Sequence, residues 1–195
     1  MGESLKVAVP GHSYVPRLLS HHDGLPYPVV GAHAYIDLEG FYKPGATIQS
    51  FQSNVALSNL VEFSPNMTFM LLGGNDIHAA CSPRQIVTEM ECLTQKIMES
   101  TGGIVRWAQI EDRTKVRGME PDQYVKIKKG IYRICGRSLL MGERMFRLPY
   151  NVSELDDGVH PNKDGVRHLS DSLISIINHT AIYYLRNRND PHFRW

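Results

Sequence analysis

The sequence alternates short apolar runs with amphipathic stretches from one end to the other, and this alternation restricts the fold more than any other feature. Leu5–Val9 and Met67–Leu72 are nearly unbroken hydrophobic runs, the first followed by Pro10-Gly11 and the second by Gly73-Gly74. Such runs are typical of parallel strands that helices cover on both faces. Because strand–helix–strand units close by right-handed crossovers, we expect a three-layer α/β/α sandwich around a mostly parallel, five-stranded sheet.

The remaining elements follow the same pattern. The clearest helix starts after Ser82, which suits the N-cap position, with Pro83 as the first helical residue and Gln85 as the capping-box partner. We predict further strands at Val29–Leu38, Ile104–Ile110 and Phe146–Pro149, and further helices at Ala46–Phe63, at Tyr124–Met145 and from Asn162–Gly165 onward. The polar tail, residues 186–195, is expected to be loose.

Length and composition limit the class of protein. A chain of 195 residues with 42% hydrophobic and 21% charged residues suits one globular domain over residues 1–195. The net charge of +1 gives no general reason to expect nucleic acid or an anionic membrane as a partner. The three cysteines lack CxxC spacing and are expected to be reduced. With no signal peptide or membrane span in sight, we expect an intracellular location, cytoplasmic or nuclear.

Four loop motifs lie where these elements meet, and in such sheets ligands bind beyond the carboxyl ends of the strands. Each motif alone is compatible with an ordinary turn or helix cap. Together they hold a hydroxyl, an imidazole and a carboxylate, the groups of a nucleophile, a general base and the acid that orients the base. They also hold groups that can donate to an oxyanion. The motifs are Gly11-His12-Ser13, Pro44-Gly45-Ala46-Thr47, Gly73-Gly74-Asn75-Asp76 and Asp157-Gly158-Val159-His160.

In this order the four motifs resemble the sequence blocks of the SGNH, or GDSL-like, hydrolases, from Lys6 to about Leu185. The resemblance implies a flavodoxin-like α/β/α fold and a serine esterase that cleaves a carboxylic ester, acetyl or short acyl, through an acyl-enzyme. The substrate would be a small molecule or an ester borne on a polymer, and no metal or organic cofactor would be needed. The implied catalytic triad is Ser13, His160 and Asp157, and the implied oxyanion donors are the amides of Ser13 and Gly45 and the side chain of Asn75.

One departure from the family pattern leaves an alternative open. The first block usually reads Gly-Asp-Ser, whereas this chain has His12 between Gly11 and Ser13. The change alters the charge beside the nucleophile but removes no triad member. The stretch Pro10–Val15 also resembles SGNH-like domains of animal genomes, some of them associated with retrotransposons. The rival hypothesis is therefore a catalytically impaired scaffold that binds RNA or a protein.

If the protein were such a binding module, a cluster of basic residues would be the surface that binds the partner. It is interleaved with two tyrosines, as in a nucleic-acid patch, but the solvated face of an ordinary helix has the same composition and is the interpretation that we favour. The cluster contains Lys126, Lys128, Lys129, Arg133, Arg137, Arg144 and Arg147.

Three histidines, His21, His22 and His33, lack metal-ligand spacing and are expected to be exposed in a loop. A nucleotide-binding role is disfavoured because no glycine-rich phosphate loop follows the first strand.

Overall fold

A computed structural model describes residues 2–20, 27–116, 118–149 and 152–190 of the chain. Strands and helices alternate along most of it, as the sequence predicts. The strands are β1 (Glu3–Gly11), β2 (Tyr27–Pro28), β3 (Ala34–Tyr42), β4 (Met67–Met70), β5 (Ile104–Ala108) and β6 (Met145–Phe146). The helices are α1 (Tyr14–Leu19), α2 (Ile48–Gln52), α3 (Val55–Phe63), α4 (Pro83–Thr101), α5 (Pro121–Cys135) and α6 (Lys163–Asn187), with a short 3-10 helix at Val152–Glu154.

The strands form one sheet in the order β2-β3-β1-β4-β5-β6. The five strands from β3 to β6 pair in parallel, and the prediction of a mostly parallel sheet is confirmed. The count of five is wrong, because β2 adds a sixth, antiparallel edge strand. The first half of the predicted strand Val29–Leu38 is instead the turn between β2 and β3, in which Gly31 adopts a φ of 75° and the Val29 amide donates to the Ala34 carbonyl.

Two predicted helices differ from the observed ones: one is divided in two by local capping, and the other is shorter at its C-terminal end. The stretch Ala46–Phe63 is two helices: the Thr47 side chain caps α2, and the Asn54 side chain accepts from the Ala56 amide to start α3. The predicted helix Tyr124–Met145 ends at Cys135. At the other end of the chain, α6 continues through Asn187, so the first part of the tail is helical rather than loose.

Side chains of successive strand residues point to opposite faces of the sheet, and this produces two separate cores. Met70 and Trp107 belong to the core beneath α2, α3, α4 and α5. Phe69 and Ala108, their neighbours along the same strands, belong to the core beneath α1 and α6. The predicted three-layer α/β/α arrangement is confirmed. None of the described helices combines the length and the apolar character that a membrane span requires.

Candidate active site

Ser13 lies at the carboxyl edge of the sheet because β1 ends in a turn that only glycine can make. A Cβ atom on Gly11 would lie 2.5 Å from Cγ2 of Val15 and 2.8 Å from the Leu71 carbonyl oxygen. Ser13 then occupies the N-cap position of α1, but its side chain makes no capping hydrogen bond. The hydroxyl instead faces the loop before α6, where its Oγ lies 3.4 Å from Nε2 of His160.

The loop before α6 holds His160 and Asp157 in one hydrogen-bonded unit. Oδ2 of Asp157 lies 2.8 Å from Nδ1 of His160, and Oδ1 accepts from the backbone amides of Val159 and His160 at 2.9 and 2.7 Å. The hydrogen bond from the His160 ring, supported by the two amides, holds the pKa of Asp157 well below its usual range. An ionised Asp157 selects the tautomer with a proton on Nδ1, so that Nε2 faces Ser13 as an acceptor.

Two contacts fix this loop against the rest of the site. The Tyr14 hydroxyl donates to the carbonyl of Val159, the residue that precedes His160. On the other side, the Thr114 and Lys115 amides donate to the Gly158 carbonyl at 2.9 and 3.3 Å. Gly158 has a φ of 81°, and a Cβ there would lie 2.5 Å from Oγ1 of Thr114. The loop that carries His160 is therefore held by hydrogen bonds on both sides.

The loops that hold Gly45 and Asn75 also meet at this edge. The Asn75 side-chain amide donates to the Ala46 carbonyl at 3.1 Å, which joins the two loops directly. Gly45 has a φ of 69° and no atom within 4 Å of the position of a Cβ, so this turn is open as well as left-handed. The Lys43 amide donates to the Gly11 carbonyl at 3.2 Å and brings the same loop beside the nucleophile turn.

Asp76, the last residue of the third motif, has a part in the site that the sequence did not reveal. Its Oδ1 accepts from the Ile48 amide at 2.9 Å, a second link between the two loops, and its Oδ2 has no hydrogen-bond partner among the described residues. Burial raises the pKa of this carboxyl to about 6, against the opposing effect of the Ile48 amide. The sequence offered only a Gly-Gly-Asn-Asp turn as the reason for an aspartate here.

His12, which stands where the family usually has aspartate, is buried with 1% of its surface exposed. Its Nε2 lies 3.9 Å from Oε1 of Glu111, itself buried, and its ring packs edge-on against Tyr14 at 4.6 Å. Burial lowers the pKa of His12, although the nearby Glu111 carboxylate opposes that effect. At neutral pH the His12 ring beside Ser13 is therefore uncharged and faces the Glu111 carboxyl group.

The segment from Glu111 to Lys115 after β5 was missed by sequence reasoning. Besides the contacts of Glu111 with His12 and of Thr114 with Gly158, it supplies Arg113, whose guanidinium donates to Oδ1 of Asn75 at 3.3 Å. The sequence did contain a signal for it: this polar segment directly follows the predicted strand Ile104–Ile110, as the other motifs follow or precede predicted elements at the same edge of the sheet.

The other predicted candidates lie away from this constellation or were placed differently. Lys126, Lys129 and Arg133 are exposed on α5, as a solvated helix face requires. Lys128 is buried instead and pairs with Asp112, because it falls on the inward stripe of the helix. Arg144 is also buried, with 3% of its surface exposed.

Of the three predicted loop histidines, the structure describes one. His33 is exposed, as expected, whereas His21 and His22 lie outside the described residues. Within the part of the chain that the structure describes, no three His, Cys, Asp or Glu side chains converge as metal ligands would.

Solved structures with the same architecture come from bacterial ester hydrolases. A GDSL-like lipase from Bacteroides thetaiotaomicron aligns over 90% of this chain and 88% of its own, with a TM-score of 0.67 and 16% identity. A lipase/acylhydrolase from Enterococcus faecalis aligns over 90% and 96%, with a TM-score of 0.65 and 13% identity. The psychrotrophic esterase EstA from Pseudoalteromonas sp., inhibited by monoethylphosphonate, aligns over 90% and 98%, with a TM-score of 0.63 and 14% identity.

Sequence comparison finds no matching family model and no matching curated protein. The similarity therefore resides in the fold, and the chain has the fold of the SGNH, or GDSL-like, hydrolases, as the motif order implied.

Proposed function

We propose that this protein is a serine esterase that hydrolyses a carboxylic ester with an acetyl or short acyl group through an acyl-enzyme. The observation that carries the proposal is the hydrogen-bonded series from Ser13 through His160 to Asp157, with distances of 3.4 and 2.8 Å. A hydroxyl, an imidazole and a carboxylate in this order are the parts of an activated serine nucleophile. The fold shared with the esterase EstA and the GDSL-like lipase supports the same reaction class.

In the acylation step, Oγ of Ser13 forms a bond to the ester carbonyl carbon while its proton moves to Nε2 of His160. The carbonyl electron pair moves onto oxygen, and this oxyanion accepts hydrogen bonds from the backbone amides of Ser13 and Gly45 and from the Asn75 side chain. Asp157 stabilises the imidazolium. When the intermediate collapses, the bond to the alcohol oxygen breaks and the alcohol takes the proton from His160, which leaves the acyl group on Ser13.

Deacylation repeats the sequence with water as the nucleophile. His160, neutral again, accepts a proton from water as the water oxygen attacks the acyl carbon. The same donors hold the second oxyanion. Collapse then breaks the bond to Oγ of Ser13, the proton on His160 returns to that oxygen, and the free acid leaves.

The His12 substitution does not interrupt this proton path. His12 is fully buried and touches Tyr14 and Glu111 rather than the Oγ of Ser13. Because its ring is uncharged at neutral pH, His12 places no cation near His160 that would disfavour the imidazolium form. The usual aspartate of that block is likewise outside the triad, so its loss leaves the three reacting groups complete.

The test is hydrolysis of p-nitrophenyl acetate by the wild type and by Ser13→Ala, with Ser53→Ala, an exposed serine at the C-terminal end of α2, as the control. We expect Ser13→Ala to lose at least roughly a thousandfold in kcat and the control to lose nothing. A fluorophosphonate probe should label the wild type at Ser13 and leave Ser13→Ala unlabelled. Equal turnover by wild type and Ser13→Ala would overturn the proposal.

A further inference from the structure

We infer that Arg113 is a positioning residue for the oxyanion hole, an assignment that rests on the function proposed above. It acts through Asn75. One guanidinium nitrogen of Arg113 donates to Oδ1 of Asn75 at 3.3 Å, while Nδ2 of Asn75 donates to the Ala46 carbonyl at 3.1 Å. The Asn75 amide is thus held at both ends, by a cation at its oxygen and by a carbonyl at its nitrogen.

These two contacts specify one orientation of the amide. An asparagine side chain can rotate by half a turn and exchange its oxygen and its NH2 group. In the exchanged orientation the NH2 group would face a guanidinium that can only donate, and the oxygen would face the Ala46 carbonyl that can only accept. Both ends would then be mismatched. Because Nδ2 has two protons and Ala46 takes one, the fixed orientation leaves the second N–H available for an oxyanion.

Arg113 is itself held in place by its surroundings. Its guanidinium lies 5.9 Å from the centre of the Tyr124 ring, and the Tyr124 hydroxyl donates to the Glu111 carbonyl at 3.0 Å, just before Arg113 in the chain. Gly74 leaves the necessary space, because a Cβ there would lie 2.6 Å from the guanidinium nitrogen. The contact with Asn75 is therefore made by a supported side chain rather than by a free surface arginine.

The charge of Arg113 adds a second effect. A cation that donates to the amide oxygen polarises the amide and makes its N–H groups stronger donors, as in other hydrogen-bonded series. That gain is largest when negative charge develops on the substrate oxygen, so it belongs to the transition state rather than to substrate binding. Loss of Arg113 should therefore lower kcat and leave KM nearly unchanged.

The experiment is a double-mutant cycle on p-nitrophenyl acetate with wild type, Arg113→Ala, Asn75→Ala and the double variant. Loss of an oxyanion donor costs about a hundredfold to a thousandfold in kcat, and we expect Arg113→Ala to cost about tenfold to a hundredfold in kcat with KM within about twofold. In the Asn75→Ala background the same change should cost less than about twofold, because the amide that Arg113 orients is gone. Arg133→Ala, an exposed arginine on α5, is the matched control.

Arg113→Lys provides the second variant if Arg113→Ala does not fold, as judged by circular dichroism. Lysine keeps the charge and loses the planar fork, so its kcat should lie between those of wild type and Arg113→Ala and should show the same dependence on Asn75. Equal fold-losses with and without Asn75, or an unchanged kcat, would overturn the role of Arg113 alone. A wild type without Ser13-dependent turnover would overturn the proposed esterase and this inference with it.

Discussion

Replacement of Asp76 by asparagine should flatten the dependence of stability on pH. Asp76 is buried with 7% of its surface exposed, and its Oδ1 accepts from the Ile48 amide at 2.9 Å. Asparagine preserves that acceptor and has the same shape, but it does not titrate. Comparison of the two proteins across pH therefore isolates the ionisation of one carboxyl between the loops that hold Gly45 and Asn75.

The direction in which stability changes with pH follows from the pKa of Asp76, which burial raises from 3.8 to about 6 in the folded protein. The folded chain holds this proton more tightly than the unfolded chain, so the carboxyl stabilises the fold most below pH 3.8, its unfolded value. That contribution is lost as the pH rises through about 6. A difference of about two pKa units corresponds to roughly 3 kcal/mol, of which about 2 to 3 should be lost between pH 4 and pH 7.

The assay is urea unfolding of both proteins at pH 4, 5, 6 and 7, with the free energy of unfolding obtained by linear extrapolation. The difference in free energy between wild type and Asp76→Asn should shift by about 2 to 3 kcal/mol against the wild type over this range. Asp171→Asn, at an exposed position on α6, should leave the wild-type pH dependence unchanged. Parallel curves for wild type and Asp76→Asn would refute the reasoning, whatever the absolute stability of the variant.

Two further substitutions test the contacts around the nucleophile. Tyr14→Phe removes the hydroxyl that donates to the Val159 carbonyl and should cost about 1 kcal/mol in urea unfolding and several-fold in kcat, since Val159 precedes His160. Tyr35→Phe, at an exposed position on β3, is its control, and equal kcat values for the two variants would contradict the expected role. His12→Asp restores the usual family residue but places a second buried carboxylate beside Glu111, so at pH 7 it should destabilise the protein by roughly 3 kcal/mol relative to His12→Asn. If His12→Asp were as stable as His12→Asn, the expected repulsion between a carboxylate at position 12 and Glu111 would be contradicted.

The alternation of strands and helices was enough to predict the sheet, and the order of the loop motifs was enough to predict that Ser13 lies near His160. Both predictions depend on general rules: alternating strands and helices build a parallel sheet, and loops at the carboxyl ends of its strands converge. Neither rule depends on the details of side-chain packing. For the same reason they hold although β2, the break at Asn54 and the end of α5 at Cys135 were missed.

The parts that sequence could not supply are those decided by contacts between distant side chains. Arg113 and Asn75 are 38 residues apart, and nothing in either local sequence predicts that a guanidinium meets an amide. Lys128 has the appearance of a surface residue, yet its place on the inward stripe of α5 buries it beside Asp112. From the sequence, His12 only changes the charge beside Ser13. The sequence does not show that the buried Glu111 side chain faces the His12 ring.

Ser13 and His160 are separated by 147 residues, which has a consequence for biosynthesis. A ribosome makes Ser13 147 residues before it makes His160, and the chain after β6 must fold back onto the sheet before the two side chains can meet. Under the proposed function, a nascent or truncated chain that ends before His160 would therefore carry an unreactive serine, however well its sheet had formed. Reactivity at Ser13 should thus mark the completion of folding, rather than the formation of any single element.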